Sequence, residues 1–323
     1  MSLFRIENLA AIAFVVFFVV RMLPGTTSSF TATTANNGST ITASPDWTAP
    51  VIAAAILQKT EGGATDKLHA GETFRVYASV TDSGNPASGT GAVSASVGSI
   101  ATTSSAAMTA GSWTVNGTTY NRRSGDLTAK SSLSSGSYGY SISASDLAGN
   151  GPSSAARTAQ ALNTTFAGSA IQIASGGSSG KPSTGDELSF VYNRAAEPGS
   201  VLSDWDGGET AVTVTLVDGN LYGFGSTNDL VGVLDGSGQL LGLGYVSTNG
   251  DFVATNKTVN FSATMERDGA SVDVTLGTTY SSSNLKTDTA RNTPAWAPGS
   301  TVVDEYGNAS ATTTVYGSNA KLF

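Results

Sequence analysis

Asp146-Leu147-Ala148-Gly149-Asn150 and Asp304-Glu305-Tyr306-Gly307-Asn308 are two copies of a D-x-x-G-N motif, and each copy precedes one last short β-rich run. A similar phrase opens each unit: Ala70-Gly71-Glu72-Thr73-Phe74-Arg75-Val76-Tyr77 in the first, and Thr184-Gly185-Asp186-Glu187-Leu188-Ser189-Phe190-Val191-Tyr192 in the second. Internal repetition of this kind indicates homologous structural units in tandem. We therefore predict two successive β-domains, an arrangement more typical of a surface protein than of an enzyme.

The composition favours a β-rich chain and excludes several functional classes. Of 323 residues, 38 are glycine and only 12% are charged, which suits many short strands joined by tight turns. The net charge of -8 and the pI of about 4.6 provide no basic face for binding nucleic acid. The lack of cysteine excludes disulfides, and the single histidine, His69, excludes any multi-histidine metal site.

Period-two patterning predicts the strands and the residues that face the two cores. The runs 74–81 and 138–144 alternate apolar and polar residues, and Asn116-Gly117 predicts a hairpin turn. About seven strands in roughly 115 residues is the strand density of an immunoglobulin-like sandwich. We expect inward-facing side chains at Phe74, Val76, Tyr140 and Ile142 in the first domain, and at Phe190, Val214, Leu216 and Val274 in the second.

The predicted fold is all-β, with a hydrophobic N-terminal helix in front of two tandem immunoglobulin-like β-sandwich domains. The helix occupies residues 1–24, and residues 25–47 form a Ser/Thr-rich linker. The first sandwich covers residues 48–162 and the second covers residues 163–323.

The second domain is longer than the first between matching landmarks. Glu72 and Asp146 are 74 residues apart, whereas Asp186 and Asp304 are 118 apart, so the second domain carries an insertion of 44 residues. We place the insertion at about residues 218–251, where Leu, Val and Gly predict a hairpin. Its apolar surface predicts a contact with the first domain or with a neighbouring subunit, and the alternative is a hairpin that extends its own sandwich. The candidate interface residues are Leu230, Val233, Leu241 and Leu243.

Three features resemble the immunoglobulin-like (Big-type) repeats of bacterial and archaeal cell-surface proteins. Thr48-Ala49-Pro50 opens the first domain, Val80-Thr81-Asp82 ends a strand, and the motif at residues 146–150 precedes the last strand. The resemblance covers most of residues 48–320 at the level of the fold. It implies tandem β-sandwiches exposed on a cell surface and says almost nothing about a ligand.

An unbroken apolar run extends from Leu9 to Val20 near the N-terminus. A helix of this length spans about 18 Å, as in the core of a signal peptide, whereas a helix over residues 3–23 would span about 31 Å, enough to cross a membrane. Three alternatives follow: a cleaved export signal, an uncleaved anchor that contacts the membrane through residues 3–23, or a helix buried in the core of an assembly. We expect the protein to be extracellular, at the cell surface.

The sequence Leu3-Phe4-Arg5-Ile6-Glu7 is similar to the start of type IV pilins, in which an acidic residue at the fifth position precedes an apolar assembly helix. A cut after Ser2 would place Glu7 fifth, although that family has Gly or Ala before the cut. The resemblance implies a filament of identical subunits. The assembly residues it indicates are Glu7, Leu9, Ile12, Val16 and Val19.

The side chains that enzyme chemistry requires do not form a recognisable set. Nucleophilic catalysis needs a base near the nucleophile, and the only imidazole, His69, stands beside the predicted turn at Ala70-Gly71. We therefore predict no enzymatic activity and no cofactor other than, as one alternative, calcium.

The densest group of oxygen ligands lies between residues 204 and 209. Asp204, Asp206 and Glu209 offer three carboxylates, the ligands that Ca²⁺ prefers. The alternative is a turn in which an aspartate accepts hydrogen bonds from nearby backbone amides. The same two alternatives, calcium or a hydrogen-bonded turn, apply to the aspartates of the D-x-x-G-N motifs.

Six asparagines lie in N-x-S/T sequons, and in an exported, hydroxyl-rich chain such positions predict surface glycans. Asn-Gly and Asn-Thr also occur as plain turn sequences, so we do not expect every sequon to be used. The six positions are Asn37, Asn116, Asn163, Asn256, Asn260 and Asn308.

Together these features predict an extracellular structural protein. The specific expectation is a subunit of a cell-surface filament or pilus-like appendage, a homo-oligomer assembled through its hydrophobic N-terminus. The alternative is a membrane-tethered adhesin or a carbohydrate-binding surface protein. We expect no nucleic-acid partner.

Overall fold

We describe residues 46–177, 180–279 and 282–323 of a computed structural model of the chain. These residues form an all-β structure with two curled sheets, the first within residues 51–161 and the second within residues 166–316. The single α-helix of the described ranges, α1 (Pro198–Val201), is one turn long. The predicted helix at residues 1–24 and nearly all of the linker at 25–47 lie outside the described residues.

The first sheet curls until its two ends approach each other. Its strands are β1 (Val51–Lys59), β2 (Lys67–Leu68), β3 (Thr73–Thr81), β4 (Thr90–Ser96), β5 (Ser105–Val115), β6 (Thr118–Ser124), β7 (Leu127–Thr128), β8 (Gly136–Asp146) and β9 (Ser153–Ala161). They follow the order β1-β3-β6-β5-β4-β8-β9-β2, with β7 paired to β3. Because β1 also lies against β9 and β2, the sheet encloses its own core.

The second sheet curls in the same way. Its strands are β10 (Phe166–Ala174), β11 (Glu187–Tyr192), β12 (Thr210–Val217), β13 (Leu230–Leu234), β14 (Val246–Ser247), β15 (Thr258–Asp268), β16 (Ser271–Thr279), β17 (Ala295–Trp296), β18 (Ser310–Ala311) and β19 (Val315–Tyr316). They follow the order β18-β10-β11-β16-β15-β12-β13-β14-β17-β19. Here β10 also lies close to β19, so the ends of this sheet meet as well.

Each sheet is built from one continuous part of the chain, and we call residues 46–161 the first unit and residues 162–323 the second unit. Both units begin with the same distorted strand pair. The register of β1 against β3 shifts between Ile52 and Ala54, and the register of β10 against β11 shifts between Gly168 and Ala170. A bulge near the start of the first strand is therefore a feature that the two units share.

Alternating side chains produce the strands, as period-two patterning predicts. Along β3, the side chains of Phe74, Val76, Ala78 and Val80 are buried, whereas Thr73, Arg75 and Ser79 between them are only partly buried. The predicted hairpin turn is confirmed, because Asn116 and Gly117 join β5 to β6 with φ angles of 46° and 76°. All eight side chains predicted to face inward are buried: Phe74, Val76, Tyr140, Ile142, Phe190, Val214, Leu216 and Val274.

Each unit has its own hydrophobic core. Trp296 is the largest fully buried side chain of the second core, and its indole Nε1 donates a hydrogen bond to the backbone oxygen of Leu243 at 2.7 Å. The same ring packs edge-on against Phe190 and Tyr192, with centroid distances of 5.4 and 5.1 Å. Trp296 thus joins the end of the chain to the insertion and to the repeated opening strand.

Residues 218–251, where we place the insertion, extend the second sheet. β13 pairs with β12 on one side and with β14 on the other, and Leu234 bridges to Leu240 across the predicted hairpin. The four candidate interface residues, Leu230, Val233, Leu241 and Leu243, are at most 6% exposed within their own chain. Their side chains therefore do not face a neighbouring subunit or the first unit as we predicted, because the second unit itself buries them. The exposed apolar side chains near the insertion are Leu221, Tyr222, Phe224, Leu240 and Tyr245.

Candidate functional site

The two D-x-x-G-N motifs fold into the same closed loop. In the first, the Asn150 backbone N–H donates to Asp146 Oδ1 at 2.7 Å, and the Asn150 side-chain amide donates to Asp146 Oδ2 at 2.6 Å. In the second, the Asn308 backbone N–H donates to Asp304 Oδ1 at 2.8 Å, and its side-chain amide donates to Asp304 Oδ2 at 3.0 Å. The glycines before each asparagine, Gly149 and Gly307, have φ angles of 90° and 91°, a region that favours glycine. These hydrogen bonds match the turn that we offered as the alternative to calcium.

Each loop also holds the residue that leads into its own unit. The Asn150 side-chain amide donates to the backbone oxygen of Asp46 at 2.9 Å. The Asn308 side-chain amide donates to the backbone oxygen of Leu162 at 3.0 Å. The motif therefore acts as a clamp between the first residues and the last loop of a unit, and we call these two contacts the first clamp and the second clamp.

The second clamp lies where the two units meet. Lys59 of the first unit, only 5% exposed, donates from Nζ to the backbone oxygen of Glu305 at 2.7 Å. Lys67 forms an ion pair with the Glu305 carboxylate, and its Nζ lies 5.4 Å from the ring centroid of Tyr306. Burial lowers the pKa of Lys59, and the negative charge of Glu197 opposes that shift. The loop that closes the second unit is thus also the surface that binds the first unit.

His69 lies at this junction, beside Gly307. Its Nε2 lies 2.7 Å from Glu72 Oε2, and its Nδ1 lies 2.8 Å from the backbone oxygen of Ala70. Both ring nitrogens face oxygen atoms, so the hydrogen bond to Glu72 raises the pKa of His69 above its usual 6.5. Gly307 packs on this pair so closely that a Cβ atom there would lie 2.7 Å from Glu72 Oε2.

A cavity of about 820 Å³ opens between the two units. Its walls carry both charges, from Lys59, Glu72, Glu197, Arg267 and Glu305. Across it, the Ala64 backbone N–H donates to Glu197 Oε2 at 3.2 Å. Charged walls suit water or a polar ligand better than an apolar molecule.

The predicted calcium ligands lie beside this cavity without forming a cluster. Asp204 and Asp206 line it, but the structure does not bring the carboxylates of Asp204, Asp206 and Glu209 within 4.8 Å of one another. Asp206 Oδ1 instead accepts the Gly208 backbone N–H at 2.9 Å, as in the hydrogen-bonded turn. All three side chains are exposed.

The sequons differ in how free their side chains are. Asn116 and Asn256 are exposed at turns, and the Asn116 side-chain nitrogen makes only a long hydrogen bond of 3.4 Å, to the backbone oxygen of Gly63. The side-chain nitrogen of Asn163 donates to the backbone oxygen of Leu133, and that of Asn308 is held in the second clamp. Asn260 is only partly exposed, and its Oδ1 is buried. A glycan on Asn163 or Asn308 would replace these hydrogen bonds, so Asn116 and Asn256 are the better candidates.

The predicted assembly residues Glu7, Leu9, Ile12, Val16 and Val19, and the sequon at Asn37, lie outside the described residues. In the described part of the chain, no helix has the length and apolar character needed to cross a bilayer.

No protein-family model matches the chain, and no curated protein is significantly similar to it.

Several residues of the junction carry no signal in the sequence. Lys59 and Lys67 are separated from Glu305 by 246 and 238 residues, so no local sequence pattern predicts that they contact Glu305. The sequence did draw attention to Glu72 and to both motifs, because they repeat. A comparison of the two copies position by position would have shown that Leu147 in the first is replaced by Glu305 in the second, an unusual charge in a weakly charged chain.

Proposed function

We propose that this protein is an exported, cell-surface structural protein whose two units are immunoglobulin-like sandwiches in tandem. The strand pairing supports the sandwich. In the first unit, β1, β3, β6 and β7 form one half of the sheet and β4, β8, β9 and β2 form the other, with β5 paired to both β6 and β4. The two halves enclose one core, as the layers of a sandwich do.

The observation that carries the proposal is the fixed junction between the units. The loop at residues 304–308 binds its own unit through Leu162 and the first unit through Lys59 and Lys67. Contacts to both sides restrict bending between the units. A subunit that transmits position and orientation along a surface structure needs this property, whereas a catalytic domain does not.

We further propose that the chain assembles with copies of itself into a filament through its hydrophobic N-terminus, residues 1–24. The unbroken apolar run from Leu9 to Val20 supports this step, because such a surface is unstable in water and favours burial between subunits or in a membrane. The acidic, weakly charged composition suits an extracellular chain.

A membrane-tethered adhesin or carbohydrate-binding protein is the second candidate, and exposed aromatic side chains favour it. Tyr222 and Tyr245 have ring centroids 6.4 Å apart, and both rings are exposed, as is that of Phe224. Aromatic faces of this kind stack on the apolar faces of sugar rings, and Tyr hydroxyls add hydrogen bonds.

Electron microscopy of material sheared from expressing cells distinguishes the two candidates. The filament proposal predicts fibres that carry the protein, and it predicts that a chain lacking residues 1–24 is released as a monomer. Export should be supplied to that variant by an unrelated cleavable signal, so that loss of fibres is not loss of secretion. Wild-type protein found only as membrane-bound monomers would overturn the filament and favour the adhesin. A glycan array with Tyr222→Ala and Tyr245→Ala as controls would then test the second candidate.

A further inference from the structure

The segment of the first unit that receives the second unit is repeated in the second unit. Residues 58–72 hold the side chains that contact the second clamp, among them Lys67. Each of these residues has a counterpart 114 positions later, in residues 172–186, and five of the pairs are identical. The identical pairs are Gln58 and Gln172, Gly62 and Gly176, Gly63 and Gly177, Lys67 and Lys181, and Gly71 and Gly185. The contact segment is therefore part of the internal repeat.

Both copies of this segment fold into the same turn. The Glu72 backbone N–H donates to the backbone oxygen of His69 at 3.3 Å. The Asp186 backbone N–H donates to the backbone oxygen of Ser183 in the same way, at 3.2 Å. The glycine before each acidic residue has a φ angle in the left-handed region, 81° in the first unit and 92° in the second. We call Lys67, His69 and Glu72 the first receiving surface, and their counterparts Lys181, Ser183 and Asp186 the second receiving surface.

The first receiving surface is occupied by the second clamp, whereas the second receiving surface is free of such a contact. Lys67 forms an ion pair with Glu305. A Cβ atom at Gly307 would lie 2.7 Å from Glu72 Oε2, so the two sides of this contact meet closely. On the second receiving surface, Lys181 forms no ion pair among the described residues, and the two residues at the centre of the turn are exposed. The repeat thus keeps the lysine without its acidic partner.

The face that matches the second receiving surface lies on the first unit, and it is exposed. The loop at residues 146–150 is the counterpart of the loop at residues 304–308, which binds the first receiving surface. Leu147 stands where that loop has Glu305, and it is 73% exposed. Trp47, next to the residue that the first clamp holds, is also 73% exposed. Large apolar side chains exposed on one face are typical of a contact surface.

We propose that the loop at residues 146–150 of one copy docks on the second receiving surface of another copy. The occupant is a second copy because the matching loop and the matching surface belong to the same chain, and their counterparts are joined to each other at the junction between the units. Such a contact joins different surfaces of the two copies, so each added copy leaves the same two surfaces free for the next. This inference rests on the proposed assembly of copies and gives the filament a second contact, separate from residues 1–24.

The chemistry of this contact differs from that of the junction within one chain. The apolar Leu147 takes the place of the carboxylate that Lys67 binds, so the contact relies on apolar packing. The alkyl stem of Lys181 would cover Leu147 while its ammonium group lies over the Trp47 ring. Lys67 has a similar arrangement at the junction, where its Nζ lies 5.4 Å from the centroid of an aromatic ring of the second clamp.

Chemical cross-linking tests the contact, because the chain has no cysteine of its own. Full-length chains with Leu147→Cys or Lys181→Cys are co-expressed and treated with a short bismaleimide, and dimers are measured on a denaturing gel. We expect at least about tenfold more dimer than from either chain alone, because the contact holds the two thiols at a high effective concentration. A single chain with Lys67→Cys and Glu305→Cys is the positive control, since these side chains meet within the chain. Thr103→Cys, exposed in the loop between β4 and β5, replaces Leu147→Cys in the negative control.

A pair of charge substitutions tests whether the two residues face each other. Leu147→Lys places a positive charge against Lys181 and should raise the dissociation constant of self-association at least about tenfold. Lys181→Glu in the same chain should restore the constant to within about threefold of the wild type, because opposite charges then meet. Leu221→Lys, at another exposed leucine, is the matched control and should leave it unchanged. Analytical ultracentrifugation of the detergent-solubilised full chain measures these constants.

The outcomes separate this contact from the proposed filament. The contact is refuted if Leu147→Cys and Lys181→Cys give no more dimer than the Thr103→Cys control while the positive control cross-links. Fibres that form in spite of this result would leave the filament standing and overturn only the contact. Cross-linked dimers without fibres would support the contact and refute assembly into a filament. Cross-linking that appears only after removal of residues 1–24 would also overturn the contact, because the chain's own N-terminal segment then covers the surface.

Discussion

The side-chain nitrogen of Asn308 lies 3.0 Å from the backbone oxygen of Leu162, although 146 residues separate the two in the chain. The same nitrogen also donates to Asp304, whose carboxylate closes the loop. One amide group thus joins the last loop of the second unit to its first residues. Asn150 makes the matching contact to Asp46 in the first unit, so the relationship is a property of the repeat.

Replacing Asn308 with alanine should destabilise the second unit by about 1–3 kcal/mol, because Leu162 and Asp304 lose their shared donor in a partly buried place. Chemical denaturation measures the change in the free energy of unfolding. Thr312→Ala, at an exposed position of the same region, should change it by less than about 0.5 kcal/mol. Equal effects of the two substitutions would show that the clamp contributes nothing.

Replacing Lys59 with methionine should loosen the junction. Methionine keeps an apolar stem but leaves the backbone oxygens of Glu305 and Ala64, which lie 2.7 and 3.3 Å from Nζ, without their donor. Because the chain lacks cysteine, spin labels at Thr103→Cys and Thr312→Cys report the distance between the units. We expect a broader distance distribution in the variant.

Lys130→Met is the matched control for the junction. Lys130 also donates to a backbone oxygen, that of Gly98, but both residues belong to the first unit. The control should leave the distance distribution between the units unchanged. A distribution that stays narrow in Lys59→Met would mean that other contacts fix the junction.

Stability should depend on pH through His69. Its pKa is raised in the folded chain by the hydrogen bond to Glu72, so folding favours the protonated ring. The stabilisation is therefore complete below pH 6.5 and is lost as the pH rises through the raised pKa. Thermal unfolding from about pH 5.5 to about pH 8.5 should show a declining midpoint, and the decline should be absent in His69→Gln. Parallel curves for the two proteins would contradict this assignment.

Replacing Leu243 with alanine should destabilise the second unit by about 2–5 kcal/mol, since the side chain is fully buried beside Trp296 and its loss leaves a cavity. Leu240, which is 38% exposed, is the control. Leu240→Ala should cost less than about 1 kcal/mol, because the site is open to solvent. Assembly into fibres, if it occurs, should tolerate Leu243→Ala wherever the variant is folded. Loss of assembly without loss of stability would restore the interface that the sequence suggested for Leu243.

Local rules were enough to predict the strands and the turns. Alternation located the buried faces of β3 and β8, and the Asn116-Gly117 turn follows from the positive φ angles that this pair tolerates. The repeat of the D-x-x-G-N motif also identified the two loops that form the clamps. These features depend on neighbours in the sequence, so the sequence reveals them.

The placement of the insertion side chains and of the acidic residues could not be predicted in the same way. The segment around Leu241 and Leu243 has more apolar residues than one hairpin can bury. The sequence does not show that Trp296, 53 residues after Leu243, donates a hydrogen bond to the Leu243 backbone oxygen. Similarly, Asp204 and Asp206 are close in sequence and drew the calcium prediction, whereas Asp46, Asp82 and Asp146 are far apart and meet only through strand pairing. Proximity along the chain is a poor guide to proximity in a β-structure, where most contacts are long-range.

The clamp makes each unit a self-contained module. The two parts of the clamp, the leading residue and the closing loop, lie at the two ends of the same segment of chain. Duplication of that segment therefore duplicates a complete clamp. Residues inserted between these two ends change neither the leading residue nor the closing loop. The second unit has acquired 44 residues between Asp186 and Asp304 relative to the first while keeping the clamp geometry within about 0.4 Å. Such a chain can grow in length by copying and diversify by insertion, with the joints between its modules left intact.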